Sequence, residues 1–293
     1  MWQQLKIQTS ADGSSEIEQL LLDHNALSIT YLDAEDQPIY QLEPGGTLLW
    51  DRITLQVLFP EHQELAPLLA LLSFQPAVLN RENLEIENLA DQAWERTWMD
   101  QFNAMQFGDR LWICPSWQEP PDPEAINIML DPGLAFGSGT HATTALCLKW
   151  LGEQQLEGLD VIDYGSGSGV LAIAAALMGA NRVHAVDNDA QAIAATVDNA
   201  NRNNISQRQI IAYLPEALPK IKADLLMANI LAEPLHELAD RFADLVKPGG
   251  KLLLSGILLE QVTDLSESYQ RWFHMEPAVS EGDWCQLAGT RNG

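Results

Sequence analysis

Apolar and polar residues alternate with a period of two in several short runs of the first ninety residues, and each run reads as a half-buried strand. Leu5 and Ile7 mark the first, and Ile53, Leu55, Val57 and Phe59 the clearest. Ser28 to Leu32 and Ile39 to Leu42 read as strands across an acidic turn, and Leu84 with Ile86 as a final one. Between them, Ser15-x-x-Glu18 has the spacing of a capping box that opens a helix to about His24. Pro44-Gly45-Gly46 breaks the chain, and Leu65 to Phe74 suits a second helix. The pattern predicts a small α+β domain, ferredoxin-like in its succession of elements, with nothing in it that resembles a catalytic site.

A different rhythm follows. Trp94, Trp98 and Phe102 recur every four residues, which gives a connecting helix over Ala93 to Phe102 one aromatic face suited to packing. From Asn127 onward strands and helices alternate, the strands being Ile128 to Leu130, Leu159 to Tyr164, Val183 to Asp187, Gln209 to Tyr213, Ala223 to Ala228 and Lys251 to Ser255. That succession predicts a doubly wound, Rossmann-like α/β sheet. Pro248-Gly249-Gly250 reads as a turn into its fifth strand, and Trp284 to Thr290 as a closing antiparallel strand. The chain divides on this reading into residues 1–90, a connecting helix and linker over 91–117, and an α/β domain over 118–293.

Composition narrows the class. A length of 293 residues suits about two domains. No apolar stretch approaches the ~20 residues of a membrane helix, and Met1 to Asp12 lacks the regions of a signal peptide, so a cytoplasmic protein without a membrane partner is expected. Cys114, Cys147 and Cys285 are odd in number and far apart, which suggests neither a disulfide framework nor a zinc site, and the histidines show no ligand spacing. The formal net charge of -25 argues against direct nucleic-acid binding, which draws its affinity from clustered Lys and Arg. It leaves basic proteins as substrates. Residues 1–90 hold fourteen acids against three bases, a net of -11, and leave -14 to the other 203 residues, so negative charge is about twice as dense at the N-terminal end.

The chemistry concentrates where Val161-Ile162-Asp163-Tyr164 runs into Gly165-Ser166-Gly167-Ser168-Gly169 and then an apolar helix. Glycines in such a turn adopt positive φ and let the backbone approach a ligand closely. The spacing is G-x-G-x-G rather than the G-x-G-x-x-G of dinucleotide sites, and the strand ends in an acid, Asp163. A carboxylate there would repel a pyrophosphate but can accept hydrogen bonds from an ammonium group, directly or through water. The D-x-G-x-G-x-G segment resembles motif I of class I S-adenosylmethionine-dependent methyltransferases. Eighteen residues beyond Gly169, the next strand ends at Asp187, placed to accept hydrogen bonds from ribose hydroxyls. Asn188 and Asp189 are better placed than Asp187 to cap the following helix.

Two more segments belong with these. Asp131 to Thr144 is a glycine-rich loop leading into a helix, whose start can hold the carboxylate of a methionyl tail, unless Thr143 is simply its N-cap and the glycines a hinge. Asn229 ends the fourth strand of the doubly wound sheet, at the rim where ligands of open α/β sheets collect. Ile230-Leu231 follow, where many amino methyltransferases carry Pro-Pro and an aromatic residue. An aliphatic wall suits a flexible alkyl amine better than a flat base.

Taken with the W-E-R-x-W-M-D run of Trp94 to Asp100 and R-L-W-I-C-P-S-W of Arg110 to Trp117, these motifs resemble the ribosomal protein L-eleven (L11) methyltransferase family. Ser138, Ala142 and Ser166 depart from its pattern, where Thr, Pro and Cys are common. The resemblance implies a class I methyltransferase domain, S-adenosyl-L-methionine as cofactor and no metal. It also implies transfer to the N-terminal α-amine and lysine side chains of the basic stalk-base protein of the large ribosomal subunit. Thr144, Gly165, Gly167, Asp187 and Asn229 would contact the cofactor, and Asn229 would face the acceptor nitrogen as the catalytic residue. The acceptor must be neutral, which at pH 7 costs about 4.6 kcal/mol for a lysine and about 1 kcal/mol for an α-amine. Re-aiming a substrate between sites suggests that residues 1–90 hold it and swing on the linker around Trp94 to Phe107. Another basic protein or a small-molecule amine remains the alternative acceptor. A nucleic-acid methyltransferase would need a basic face, and an NAD enzyme a different glycine spacing.

Overall fold

The structure is a computed structural model that describes residues 2–35, 50–89, 103–131 and 141–293. The expected strand at Ile39 to Leu42, the Pro44-Gly45-Gly46 turn, the Trp94–Trp98–Phe102 helix and most of the glycine-rich loop, 132–140, lie outside the described residues. The chain forms two compact units, Met1–Gln101 and Phe102–Gly293.

In the first unit the elements run β1 (Trp2–Ser10), α1 (Ala11–Asp23), β2 (Ser28–Asp33), β3 (Arg52–Pro60), α2 (Ala66–Phe74) and β4 (Ile86–Leu89). The sheet order is β2-β3-β1-β4, antiparallel at every pairing. Alternation does the work expected of it: Ile53, Leu55, Val57 and Phe59 of β3 are fully buried beside Leu5 and Ile7 of β1, under Ile17 and Leu21 of α1 and Leu68 and Leu72 of α2. The start of α1 differs from the capping-box reading. Ser10 is the N-cap, its hydroxyl accepting from Gly13 N at 3.3 Å, and Ser15 is exposed inside the helix. The chain passes from β1 straight into α1 at Ser10, whose backbone is still extended, so the helix begins more than a turn earlier than the Ser15–Glu18 spacing suggests.

The second unit opens with a small sheet, β5 (Met105–Phe107), β6 (Leu111–Cys114) and β7 (Ile126–Met129), antiparallel between β5 and β6 and parallel between β6 and β7. The strand expected at Ile128 therefore belongs here and not to the doubly wound sheet. Residues assigned to the linker supply β5 and β6, because Phe107, Leu111 and Ile113 are buried in the core of this unit.

The large sheet contains β8 (Asp160–Tyr164), β9 (Arg182–Val186), β10 (Ile210–Tyr213), β11 (Ala223–Asn229), β12 (Val246–Leu258), β13 (Phe273–Met275), β14 (Val279–Glu281) and β15 (Trp284–Arg291). Its order is β10-β9-β8-β11-β12-β15-β13, with β14 also on β15; the first five strands are parallel and β15 runs antiparallel to its neighbours. The strands are apolar on both faces, as a covered parallel sheet requires. Val161, Val183, Ala185, Leu225 and Met227 pack toward α3 (Ala142–Gly152) and α4 (Val170–Leu177). Ile162, Val186, Leu226, Ala228 and Leu254 pack toward α6 (Ala232–Glu237), α7 (Ala239–Leu245) and α8 (Val262–Gln270). Between β9 and β10 runs α5 (Ala190–Arg202). Pro248-Gly249-Gly250 is not a turn ahead of the fifth strand but a bulge within β12: Ala223 faces Val246 while Leu225 faces Lys251, so three extra residues are extruded.

Candidate active site

Strand order reverses at β8, whose neighbours are β9 on one side and β11 on the other, and a crevice at the carboxyl ends of such strands is where open α/β sheets take ligands. The glycine turn closes the end of β8. Gly165, Gly167 and Gly169 have φ of 81°, 53° and 80°, a region that costs any residue with a Cβ. Gly165 N and Ser166 N both donate to Val186 O, at 2.7 and 3.0 Å, and Gly169 N donates to Ser166 O at 2.7 Å. From behind, Thr196 and Asn199 of α5 donate to the carbonyls of Gly167 and Ser168 at 3.1 and 2.9 Å. Sequence reading missed these two. Their signal is a fully buried Thr196 on the apolar stripe between Ala192 and Ala200, with Asn199 a turn from Asn203.

Asp187 stands directly after β9. Its Oδ2 accepts from Gly167 N at 2.8 Å and its Oδ1 from Asp189 N at 3.0 Å, so the acid at the tip of one strand is tied to the turn at the tip of the next. Asp189, and not Asp187, caps α5, accepting from Gln191 N at 2.8 Å. Asp163 lies under the turn and is 1% exposed. Its Oδ2 accepts from Ala172 N at 3.0 Å, while Oδ1 is buried with no hydrogen-bond partner among the described residues. Burial pushes its carboxyl up to about 7, the Ala172 amide opposes this, and the charge of Asp187 adds to it. A buried carboxylate oxygen without a donor is costly. It is also the acceptor that a ligand ammonium would satisfy.

The far side of the crevice is built by β11 and α3. Asn229, half-buried at the end of β11, donates from Nδ2 to Oγ1 of the fully buried Thr144 at 3.3 Å. Ser255, beside Asn229 in β12, has its hydroxyl 3.2 Å from the carbonyl of Thr143 and holds the first turn of α3 on the sheet. The N-cap of that helix is His141, not Thr143: its Nδ1 accepts from Thr143 N at 3.3 Å and lies 2.8 Å from Thr143 Oγ1. Desolvation lowers the pKa of His141, and its ring meets Trp284 edge-on at 4.9 Å. Of the aliphatic pair after Asn229, Ile230 lies over Gly165, where a Cβ would come within 2.2 Å of Ile230 Cγ2, and Leu231 is exposed. The site thus brings Gly165, Gly167 and Asp187 together on one side of the crevice and Thr144 with Asn229 on the other.

Among the described residues no group of His, Cys, Asp and Glu is arranged to hold a metal, and no helix is long and apolar enough to cross a membrane. The three cysteines are free and buried. The donor and acceptor set fits a nucleoside with a cationic tail: a paired carboxylate at one strand tip, a partnerless carboxylate oxygen under the neighbouring turn, and a positive-φ backbone between them.

Comparison with known proteins gives a consistent result. Residues 1–292 match the family model described as ribosomal protein L11 methyltransferase. The chain is 48% identical over 291 residues to a protein of Shewanella amazonensis named ribosomal protein L11 methyltransferase, covering 99% of this chain and 98% of that one. It is 50% identical, with 99% of each covered, to a protein of the same name from Shewanella denitrificans. Among solved structures, a ribosomal protein L11 methylase from Lactobacillus delbrueckii subsp. bulgaricus superposes with a TM-score of 0.60 at 32% identity, covering 66% of this chain and all of that one.

Proposed function

The chain belongs to the ribosomal protein L11 methyltransferase family, and from that premise we propose that it moves methyl groups from S-adenosylmethionine to amino groups of ribosomal protein L11. The enzyme is an S-adenosylmethionine-dependent protein methyltransferase. The finer reading is that the acceptors are lysine side chains and the N-terminal α-amine of L11, the stalk-base protein, and that residues 1–90 hold this substrate without direct contact to nucleic acid. The chain's charge of -25 supports a basic protein as partner, and a ribosomal substrate implies a cytoplasmic setting.

The observation that carries the site assignment is the partnerless Oδ1 of Asp163 beneath the turn that Asp187 holds. Asp187 would take the ribose hydroxyls, Asp163 the methionyl ammonium directly or through water, and Gly165 and Gly167 would let the backbone come close. The sulfonium supplies an activated methyl group. The chain's own task is then alignment, which is worth much of the barrier in a displacement of this kind. Thr144 anchors the Asn229 amide through one of its two N–H groups and leaves its Oδ1 to accept a hydrogen bond from the acceptor nitrogen. That bond fixes the nitrogen lone pair toward the methyl group, while water carries the proton away. The α-amine is the easier acceptor because its neutral form is cheaper to reach at pH 7.

Incubation with radiolabelled S-adenosylmethionine and purified L11, followed by mass spectrometry of the product, tests this. Label on the α-amine and on lysine nitrogens is expected. Label absent from L11, or found on oxygen or carbon, would refute it.

A further inference from the structure

Beyond the two side chains that support the glycine turn, α5 carries polar groups that reach a different part of the unit. Asn203, just past the end of the helix, is buried, and its amide binds the backbone of Met129 twice: Oδ1 accepts from Met129 N at 2.7 Å and Nδ2 donates to Met129 O at 2.8 Å. Ile126 N and Leu130 N donate to Arg110 O and Cys114 O, each at 2.9 Å, on the β6 side of β7, so Met129 faces the other edge of the strand. There the amide of Asn203 does what the backbone of a further strand would do.

The same amide donates to Asn199 O at 2.8 Å, and Asn199 Nδ2 donates to Ser168 O in the glycine turn at 2.9 Å. Beside it, Arg202 Nη1 lies 3.1 Å from Asp131 Oδ2 and 3.4 Å from Asn199 Oδ1. Asp131 also accepts from Ser116 N and Oγ at 2.7 and 2.9 Å. β7 closes the circuit on its apolar side, where Ile128 and Leu130 share one core with Val170 and Ile173 of α4, the helix into which the turn opens. Thr196, Asn199 and Asn203 fall at i, i+3 and i+7, so one face of α5 carries all three. An apolar face would also pack against β7; a paired polar network fixes its register as well.

We propose that Asn203, aided by Arg202, is a positioning residue for the methyl-donor site. Through Asn199 it holds the glycine turn at a fixed spacing from β7 and from Asp131, where the glycine-rich stretch toward α3 begins. This rests on the reading of the crevice as the S-adenosylmethionine site and adds the residues that keep its turn in place. Both side chains act through Asn199 and the backbone, not on the reacting atoms. In a transfer that depends on alignment, a shift of about 1 Å can cost on the order of a hundredfold in rate. By reciprocity, a ligand that settles the turn must also tighten the grip of Asn203 on Met129.

The test compares the intact parent with Asn203→Ala, Asn203→Asp, Asn199→Ala and the Asn199→Ala/Asn203→Ala double variant, all below the thermal unfolding midpoint of the least stable. S-adenosylhomocysteine binding is measured by calorimetry and methylation of L11 by initial rates. Asn203→Ala should weaken S-adenosylhomocysteine about tenfold and lower kcat at saturating cofactor about tenfold, with KM for L11 within about twofold of the parent. Asn203→Asp keeps the size and one acceptor but loses the donors, and should do no better than alanine. The double variant should lose about as much as the worse single one, because the two residues act as one path. Amide exchange at Met129, followed by NMR, should slow about threefold or more when S-adenosylhomocysteine binds the parent, and not in Asn199→Ala. Affinity and kcat within about twofold of the parent in Asn203→Ala, or losses that multiply in the double variant, would overturn the proposal. So would equal slowing of the Met129 amide in the parent and in Asn199→Ala, a comparison that decides alone should Asn203→Ala not fold. A parent that binds no S-adenosylhomocysteine would overturn the reading of the crevice and this inference with it, whereas the other contrary results sink this inference only.

Discussion

Asn229 and Thr144, 85 residues apart in sequence, meet through a hydrogen bond of 3.3 Å in which the amide Nδ2 donates to the buried hydroxyl. The bond fixes the amide through one of its two N–H groups and leaves its oxygen to accept from a substrate nitrogen. Asn229→Ala should therefore slow transfer by about a hundredfold, the scale of a lost alignment, while cofactor affinity changes much less. Thr144→Val, which frees the amide to turn, should cost about tenfold or less. Single-turnover rates set against cofactor dissociation constants decide this, and equal losses in both for Asn229→Ala would make Asn229 a binding residue only.

Asp187 is committed to the turn before any ligand arrives, through Gly167 N at 2.8 Å and Asp189 N at 3.0 Å. Asp187→Ala removes the acceptor for ribose and leaves the Gly167 amide unpaired, and about 2–4 kcal/mol of cofactor affinity should be lost. Asp187→Asn keeps one carbonyl oxygen and should recover part of it. Calorimetric titration of the two variants gives the comparison; an unaltered dissociation constant in Asp187→Ala would remove this residue from the site.

Gly165 serves Ile230 as much as any ligand. A Cβ at this position would lie 2.2 Å from Ile230 Cγ2, and φ is 81°. Gly165→Ala should cost about 1–2 kcal/mol for the left-handed backbone and a further ~1–3 kcal/mol for overpacking. Ile230→Ala relieves only the second part, so a double-mutant cycle read by denaturant unfolding should show coupling of about 1–3 kcal/mol. Strict additivity would mean that the loop after β11 simply moves aside.

The strands that make the crevice are those the sequence shows best. β8, β9 and β11 are each an apolar run, covered on both faces, with a polar residue of the site at or beside its carboxyl end: Asp163, Asp187 or Asn229. Elsewhere, pairing partners distant in sequence decide. β13 and β14 are three residues each and exist because β15 supplies their hydrogen bonds. β5 and β6 looked like linker because Phe107, Leu111 and Ile113 are too few to show a period, and only the core they enter makes them strands. The support of the glycine turn by Thr196 and Asn199 leaves only a polar residue on an apolar stripe as its trace, because the two residues lie 29 and 31 positions from the carbonyls they bind.

The start of α1 provides a direct contrast between two serines. Ser10 accepts from Gly13 N, and Ser10→Ala should destabilise the first unit by about 1 kcal/mol, the ordinary worth of an N-cap. Ser15 is exposed within the helix, so Ser15→Ala should be neutral or slightly stabilising by helix propensity. Urea unfolding followed by circular dichroism measures both. A larger loss at Ser15 would restore the capping-box reading.

Asp163 should make both stability and cofactor binding depend on pH, in opposite senses. Its folded pKa, raised from 3.8 to about 7 by burial, means that below about pH 4 the group is protonated in both folded and unfolded chains and contributes no penalty. Between pH 4 and 7 the unfolded chain loses the proton first, so this group's contribution to stability falls as pH rises, by something on the order of 4 kcal/mol in total, and levels off above 7. Asp163→Asn keeps an acceptor for Ala172 N but cannot ionise. It should match the parent near pH 4 and be the more stable protein at pH 8. Binding runs the other way, because a ligand ammonium favours the ionised carboxylate. Cofactor affinity should therefore climb from pH 5.5 to 7.5 in the parent and stay nearly flat in Asp163→Asn. At pH 6 binding to the parent should release protons, visible as a difference in calorimetric heat between buffers of different ionisation enthalpy. Parallel pH profiles for parent and variant would show that the partnerless oxygen under the turn does not meet the cofactor's charge.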